Sequence, residues 1–192
     1  MEQKDTSIVG WGKNRHNVDH YITPESTTKA LMEREKFEGT IWECASGDGA
    51  MAKAIMKYTD NKVFSSDIRP DTFGVSNCDF LKTQNFPNLE TKPENVITNP
   101  PYRYAKEFVL KAKKHATKKV AMLLKLVFLE GIGRYEMFQD KDFPLKKVYV
   151  FCKRQKIYAN GKIGKNSGLI AYAWFVWDKN HKGEPTIEWI PQ

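Results

Sequence analysis

The sequence predicts an α/β fold: a doubly wound, mostly parallel seven-stranded sheet with one antiparallel strand near the C-terminus. Three observations predict it. Strand-like and helix-like segments alternate through the first two thirds of the 192 residues, the pattern of consecutive βα units. The segment "KKVAMLLKLVFL" is nearly all apolar in its middle, as a strand covered on both faces should be. Two further strand-like segments near the end are joined by the glycine-rich basic loop "QKIYANGKIGKNSG", which predicts an antiparallel strand added at one side of the sheet.

Each element follows from its local pattern. "TPESTTKALMEREKF" opens with turn and capping residues and continues with helical spacing, so it reads as a helix. "GTIWECAS" is a short strand entering a glycine turn, and "AMAKAIMKYT" is the helix after it. "NKVFSSDI" supplies the second strand, "VSNCDFL" a third short one and "ENVITN" a fourth. "RYAKEFVLKAKKHA" is a helix with apolar positions at Phe108, Val109 and Ala112. "KKVAMLLKLVFL" is the fifth strand, "EGIGRYEMFQ" loop and short helix, and "KKVYVFCKR" and "LIAYAWFVWDK" the last two strands. Trp42, Trp174 and Trp177 are expected in the core. Residues 1–20 hold few apolar side chains and are expected to be loose or to act as a lid. No repeat, low-complexity tract or linker divides the chain, which reads as a single domain.

Hydrophobic residues make up 41% and charged residues 28%, a balance that excludes a disordered chain. No apolar run approaches the roughly 18–20 residues of a membrane span, and the polar start "MEQKDTSIVGWGKN" has no signal core. Cys44, Cys78 and Cys152 are odd in number and far apart, unlike a disulfide framework or a zinc knuckle. A reducing cytoplasm is the expected setting. His16, His20, His115 and His181 lack metal-ligand spacing, and no metal is expected.

The net charge of +8 is unevenly placed. Residues 1–100 carry 12 Lys+Arg against 15 Asp+Glu, whereas residues 101–166 carry 17 against 5, a local balance of +12. Aromatics interleave with the cations there, in "RYAKEF", "GRYEMF" and "KRQKIY", which fits a polyanion footprint. Arg103, directly after the Asn-Pro-Pro-Tyr segment, Arg134 from the loop at 130–145, and Lys153, Arg154 and Lys156 from the loop at 153–168 are the candidate nucleic-acid contacts.

The first half carries a ligand-binding pattern at successive strand ends. In "WECASGDGAMAKAI" a strand, Gly47-Asp48-Gly49 and a helix follow in order; the glycines permit a tight turn and close approach of a ligand. Asp67 ends the next strand, 20 residues after Gly47, where an acid can grip ribose hydroxyls. "NCDFL" adds Asp79, able to accept from an adenine amine, and Phe80, able to pack on its face. The turn has two glycines rather than three, with Asp48 between them and Glu43 just before. Negative charge there repels a pyrophosphate and favours an ammonium or sulfonium. S-adenosylmethionine fits these residues and NAD fits them poorly.

The second feature is "VITNPPYRYAKEF", residues 96–108. Two consecutive prolines end the strand because neither has an N–H to give to a sheet. The segment is then either a plain stop ahead of a helix or a chemical centre, at which an amide, two carbonyls and an aromatic ring converge on one strand end.

With these residues in place the sequence resembles the S-adenosylmethionine-dependent methyltransferases that act on the N6 amine of adenine in DNA. The resemblance covers most of the chain. "TPESTTKALM" resembles the family's N-terminal cofactor motif, with Thr23 and Pro24 at the matching positions. "ECASGDG" is similar to its glycine motif, matching Glu43, Ala45, Gly47, Asp48 and Gly49; "SSDI" to its ribose-binding acid, with Asp67 and Ile68; and "CDF" to its adenine pair, Asp79 and Phe80. "NPPY" matches its catalytic tetrapeptide, Asn99, Pro100, Pro101 and Tyr102. "AYAWFVWDKNHKGEPTIEWI" is similar to small phage-borne members.

The resemblance implies a Rossmann-like class I methyltransferase and a division of labour within the tetrapeptide. The Asn99 side-chain oxygen and the Pro100 carbonyl would accept the two amine N–H bonds, Pro101 would fix the direction of that carbonyl, and Tyr102 would stack on a flipped-out base. Larger members carry a separate target-recognition domain that no segment here is long enough to form. Short or relaxed sequence specificity is therefore expected, with DNA as partner and RNA as the alternative. "NPPY" is also shared with enzymes acting on RNA adenine or on protein glutamine. A nucleic-acid-binding module without turnover is the reading from a different class.

Overall fold

The computed structural model describes residues 21–84, 91–159 and 170–191. The lid-like stretch expected over residues 1–20, and residues 160–169 of the basic loop, lie outside them.

Burial on both faces is what makes the strands read as continuous apolar runs. In chain order the elements are β1 (Tyr21–Ile22), α1 (Glu25–Met32), β2 (Ile41–Glu43), α2 (Ala50–Lys57), β3 (Val63–Ser65) and β4 (Asn95–Thr98). They continue with α3 (Ala105–His115), β5 (Lys119–Lys125), α4 (Tyr135–Gln139), β6 (Leu145–Phe151), β7 (Tyr158–Ala159), β8 (Tyr172–Asp178) and β9 (Thr186–Ile190). Seven of the strands form one sheet in the order β3-β2-β4-β5-β8-β6-β9. β8 runs antiparallel to both neighbours, and the other adjacent pairs are parallel.

Alternate residues of β5 feed two cores. Val120, Met122 and Leu124 pack with Phe108, Val109 and Ala112 of α3. Ala121 and Leu123 pack on the other face with Leu31 of α1 and Met51 and Ile55 of α2. β8 divides likewise, with Phe175 and Trp177 on the first side and Trp174 and Val176 on the second. Trp42, Trp174 and Trp177 are fully buried, as expected.

Two strand expectations need correction. "VSNCDFL" is not a third strand: it contributes only a Ser66–Val75 bridge. Gly74 at φ +91° and Asn77 at φ +55° turn the chain out of the extended region on either side of that bridge. The seventh strand is instead β9, "TIEWI", paired with β6 at the sheet edge. Its side chains are mostly exposed, so it lacks the apolar run that marks the inner strands. The antiparallel strand is also not at one side: β8 is inserted between β5 and β6.

At the end of the sheet away from the glycine turn, the Glu35 carboxylate anchors the starts of β5 and β6. It accepts from Lys119 Nζ and Lys146 Nζ, each at 2.9 Å, and from the Tyr149 hydroxyl at 2.7 Å. Burial opposes its ionisation, but these three donors hold its pKa below the ordinary value.

Candidate active site

Because the sheet is mostly parallel, the loops after β2, β3, β4, β5 and β6 all emerge at one end, the address at which ligands bind in open α/β sheets. The segment after β2 is a tight turn: Gly47 at φ +56° and Gly49 at φ +83° bring the chain into α2. A Cβ at Gly49 would lie 2.4 Å from the Phe73 ring, so the position is closed to other residues both by space and by conformation. Asp48 is exposed and accepts from the N–H of Ala50 at 3.1 Å, capping the start of α2.

Asp67 at the end of β3 is turned toward this loop. Its Oδ2 accepts the Gly47 N–H at 2.8 Å, and its Oδ1 accepts from the Arg69 N–H at 2.9 Å and Nε at 3.2 Å. The same stretch covers the turn from outside: Phe73 N–H and the Thr72 hydroxyl both donate to the Gly47 carbonyl, and Ser46 Oγ donates to the Phe73 carbonyl. Ile68 beside it is exposed.

The Glu43 carboxyl is deeply buried, with 1% of its surface exposed. Its Oε1 accepts from Thr98 Oγ1 at 2.6 Å and from the Ala45 N–H at 3.1 Å. Its Oε2 has no hydrogen-bond partner among the described residues. Burial, reinforced by the Asp67 and Asp48 carboxylates, pushes its pKa up to about 8. A buried carboxyl with one orphaned oxygen is suited to a cationic group, and so the residues here fit a cofactor carrying an ammonium.

Thr98 immediately precedes the tetrapeptide, so the bond from its hydroxyl ties the glycine turn to Asn99. Asn99 Nδ2 in turn donates to Thr23 Oγ1 at 3.0 Å, while its Oδ1 is buried without a hydrogen-bond partner among the described residues. Thr23 is buried and Pro24 begins α1, its carbonyl accepting the Thr27 N–H. Pro100 is buried and Pro101 half-buried. Tyr102 opens a single helical turn that leads into α3, and its ring lies 5.6 Å from that of Tyr172. Lys125, the last residue of β5, holds its Nζ 5.0 Å from the Tyr102 ring centroid. Arg103 is exposed alongside, over the Tyr104 ring.

Asp79 lies in an open cleft of about 320 Å³ with Val75, Asn77 and Cys78. Its carboxylate holds the Leu81 N–H and pairs with Lys82. Phe80 departs from the sequence expectation. It is only 2% exposed, with its ring centroid 5.0 Å from those of both Trp42 and Phe108. It is a core residue, with no open face for a ligand.

Lys153, Arg154 and Lys156 are exposed around a buried Gln155. Gln155 is anchored by the Thr27 hydroxyl at 2.7 Å, and β7 pairs with β1 just before Thr23, so this basic segment borders the Asn99 end. Arg134 departs from the expectation of a free contact. Its Nε donates to the Phe128 carbonyl at 2.9 Å, another guanidinium nitrogen donates to the Glu130 carbonyl, and it lies over the Phe128 ring. The guanidinium braces its own loop.

Sequence reasoning missed Thr98, Lys125 and Tyr172. Thr98 was legible as the residue leading into the tetrapeptide. The other two are brought to Tyr102 only by strand order.

No family model matches the chain, and no curated protein matches it in sequence. Solved structures do match in fold. A modification subunit assigned to a type I restriction enzyme from Vibrio vulnificus YJ016 superposes with a TM-score of 0.63 at 11% identity, covering 91% of this chain and 48% of that one. The type I restriction-modification methyltransferase subunit from Streptococcus thermophilus gives 0.60 at 16%, covering 87% and 46%. A protein assigned as an RNA methyltransferase from Pyrococcus horikoshii gives 0.60 at 15%, covering 87% and 90%. The chain thus spans about half the length of the two restriction-system subunits. The mostly parallel seven-stranded sheet with its single reversed strand is the class I methyltransferase fold.

Proposed function

We propose that this chain is an S-adenosylmethionine-dependent methyltransferase acting on the N6 amine of adenine in DNA, with short or relaxed sequence specificity. One observation carries the reading: Asn99 Oδ1 is buried with no hydrogen-bond partner among the described residues, while its Nδ2 is held by Thr23. An acceptor left open beside a half-buried aromatic ring is what an amine substrate needs.

Glu43, the Gly47–Gly49 turn and Asp67 would hold the cofactor, with Glu43 Oε2 receiving its ammonium; when bound, it supplies an electrophilic methyl group on a sulfonium. The adenine amine is a poor nucleophile because its lone pair is delocalised into the ring. Asn99 Oδ1 and the Pro100 carbonyl accept its two N–H bonds and localise that lone pair. They also stabilise the positive charge that develops on nitrogen, being fixed in place before the reaction begins. Tyr102, backed by Tyr172, offers the stacking surface. A base must leave the duplex to reach it, at a cost of a few kcal/mol. Arg103, Lys153, Arg154 and Lys156 supply the cationic surface for the phosphates.

RNA is the second reading. It is favoured by the nearly full-length overlap with the Pyrococcus horikoshii structure, 87% of this chain and 90% of that one. Transfer of labelled methyl to duplex DNA, single-stranded DNA, RNA and total protein separates the possibilities. N6-methyladenine in digested DNA, at many sequence contexts, is the expected result. Label confined to RNA or to protein glutamine replaces the substrate, and no label in any of the four leaves a binding module.

A further inference from the structure

The loop after β5 carries the most exposed large apolar side chain among the described residues. Ile132 is 90% exposed, between Gly131 and Gly133, with Val127, Leu129 and Tyr135 also exposed in the same stretch; exposure of an apolar side chain needs no special account by itself. Its setting does. Lys106, in the first turn of the helix that follows the tetrapeptide, donates to the Gly133 carbonyl. Arg134 donates to the carbonyls of Phe128 and Glu130, and its own N–H to the Gly131 carbonyl at 3.0 Å. The Glu130 N–H closes a turn onto the Val127 carbonyl at 3.0 Å. Gly131, at φ +112°, lets the chain reverse within this framework. A side chain that could be covered cheaply by a flexible loop is instead held out on a braced one.

The position matters as much as the bracing. β4 and β5 are adjacent and parallel, so this loop and the tetrapeptide leave the sheet side by side. Lys106, which reaches Gly133, Arg103 after the tetrapeptide and Lys125 at the end of β5 add positive charge to this stretch, against Glu130 and Glu136 within the loop region.

We propose that Ile132 is a wedge that enters a base step of duplex nucleic acid and fills the space left when the target base swings toward Tyr102. The chemistry is that of apolar side chains inserted between bases, where unstacking is offset by contact with an apolar surface. A fixed loop suits this role because a wedge that gave way would not separate the bases. The inference rests on the proposed adenine-N6 reading and adds the device by which a duplex, rather than an already open strand, becomes a substrate.

Ile132→Ala and Ile132→Leu test it, since removal of so exposed a side chain leaves the fold intact. Without cofactor, the wild-type protein is expected to raise the fluorescence of 2-aminopurine placed in a duplex. Ile132→Ala is expected to bind the same duplex yet lose most of that rise, and Ile132→Leu to restore it. In methyl transfer, Ile132→Ala should slow on duplex DNA by about tenfold or more while keeping wild-type rates on single-stranded DNA. Equal loss on both substrates, or no loss on the duplex, overturns the wedge while leaving the adenine reading standing. Wild-type protein that methylates adenine in neither DNA form overturns the adenine reading itself, and the wedge with it.

Discussion

Thr23 and Asn99 are 76 positions apart and meet through one hydrogen bond, Asn99 Nδ2 to Thr23 Oγ1 at 3.0 Å. The bond directs the two ends of one amide: its nitrogen is engaged by protein, and its oxygen, without a partner among the described residues, is the acceptor that the proposed reaction requires. Asn99→Ala should therefore lower methyl transfer by about 10²–10³-fold, the usual loss on removing one fixed polar group from a reacting centre, with cofactor affinity little changed. Thr23→Val should lower kcat by about tenfold, because a buried N–H left without its partner costs about 1–3 kcal/mol. Thr23→Ser should retain the rate. Steady-state kinetics with calorimetric cofactor binding decide it; a Thr23→Val enzyme with an unchanged kcat would remove the orienting role.

The cofactor role proposed for Glu43 predicts binding that depends on pH. Its folded pKa of about 8 lies above the ordinary 4.5, so between those values the folded chain holds a proton that the unfolded chain has released. Stability is therefore expected to fall as pH rises through that window. Glu43→Gln should flatten the dependence and gain on the order of 3 kcal/mol near its upper end. A cationic ligand favours the ionised carboxyl, so wild-type affinity should rise toward pH 8 by up to about tenfold per unit and then level off. Glu43→Gln should bind more weakly with no such rise. Titration calorimetry and thermal melts across the window measure both signs.

Glu35 works in the opposite direction, at the far end of the sheet. Its pKa is lowered by the bonds from Lys119, Lys146 and Tyr149, which outweigh burial. The stability it contributes is present above the ordinary value of 4.5 and is lost as pH falls through its folded value. Glu35→Gln should cost about 2–3 kcal/mol at neutral pH, less than a fully buried pair because both lysines are partly exposed. The cost should vanish in acid. Denaturant unfolding at both pH values checks this, and an equal loss at each would assign the effect to packing.

The basic segment after β6 offers a test through salt. Replacing Lys153, Arg154 and Lys156 together by Ala should weaken binding to DNA without sequence preference. It should reduce the slope of log K against log salt by up to about three, while kcat at saturating substrate stays unchanged. Gln155 keeps its bond to Thr27, so the loop should hold its place. An unaltered slope would remove these side chains from the interface.

The local elements around single strand ends were legible in the sequence because their signals are local. A proline pair stops a strand wherever it stands, Gly-Asp-Gly makes a tight turn, and an apolar run reads as a strand covered on both faces; accordingly β2, β4, β5 and the helices after them were expected where they occur. Phe80 and Arg134 were not legible, since type and position alone do not distinguish a ring buried against Trp42 and Phe108 from one facing a ligand, or a guanidinium folded onto its own carbonyls from one facing solvent. β9 was missed because an exposed edge strand carries no apolar pattern.

By itself, then, the sequence determined the βα order around β2, β4 and β5 and the reversed strand near the C-terminus. Only the tertiary structure decided that Glu43 meets Thr98 across 55 positions, that Thr23 holds the Asn99 amide, and that β8 enters between β5 and β6 to bring Tyr172 to Tyr102. Such contacts depend on which strands lie side by side. That order follows from the packing of two cores against one sheet and from no stretch of neighbouring residues.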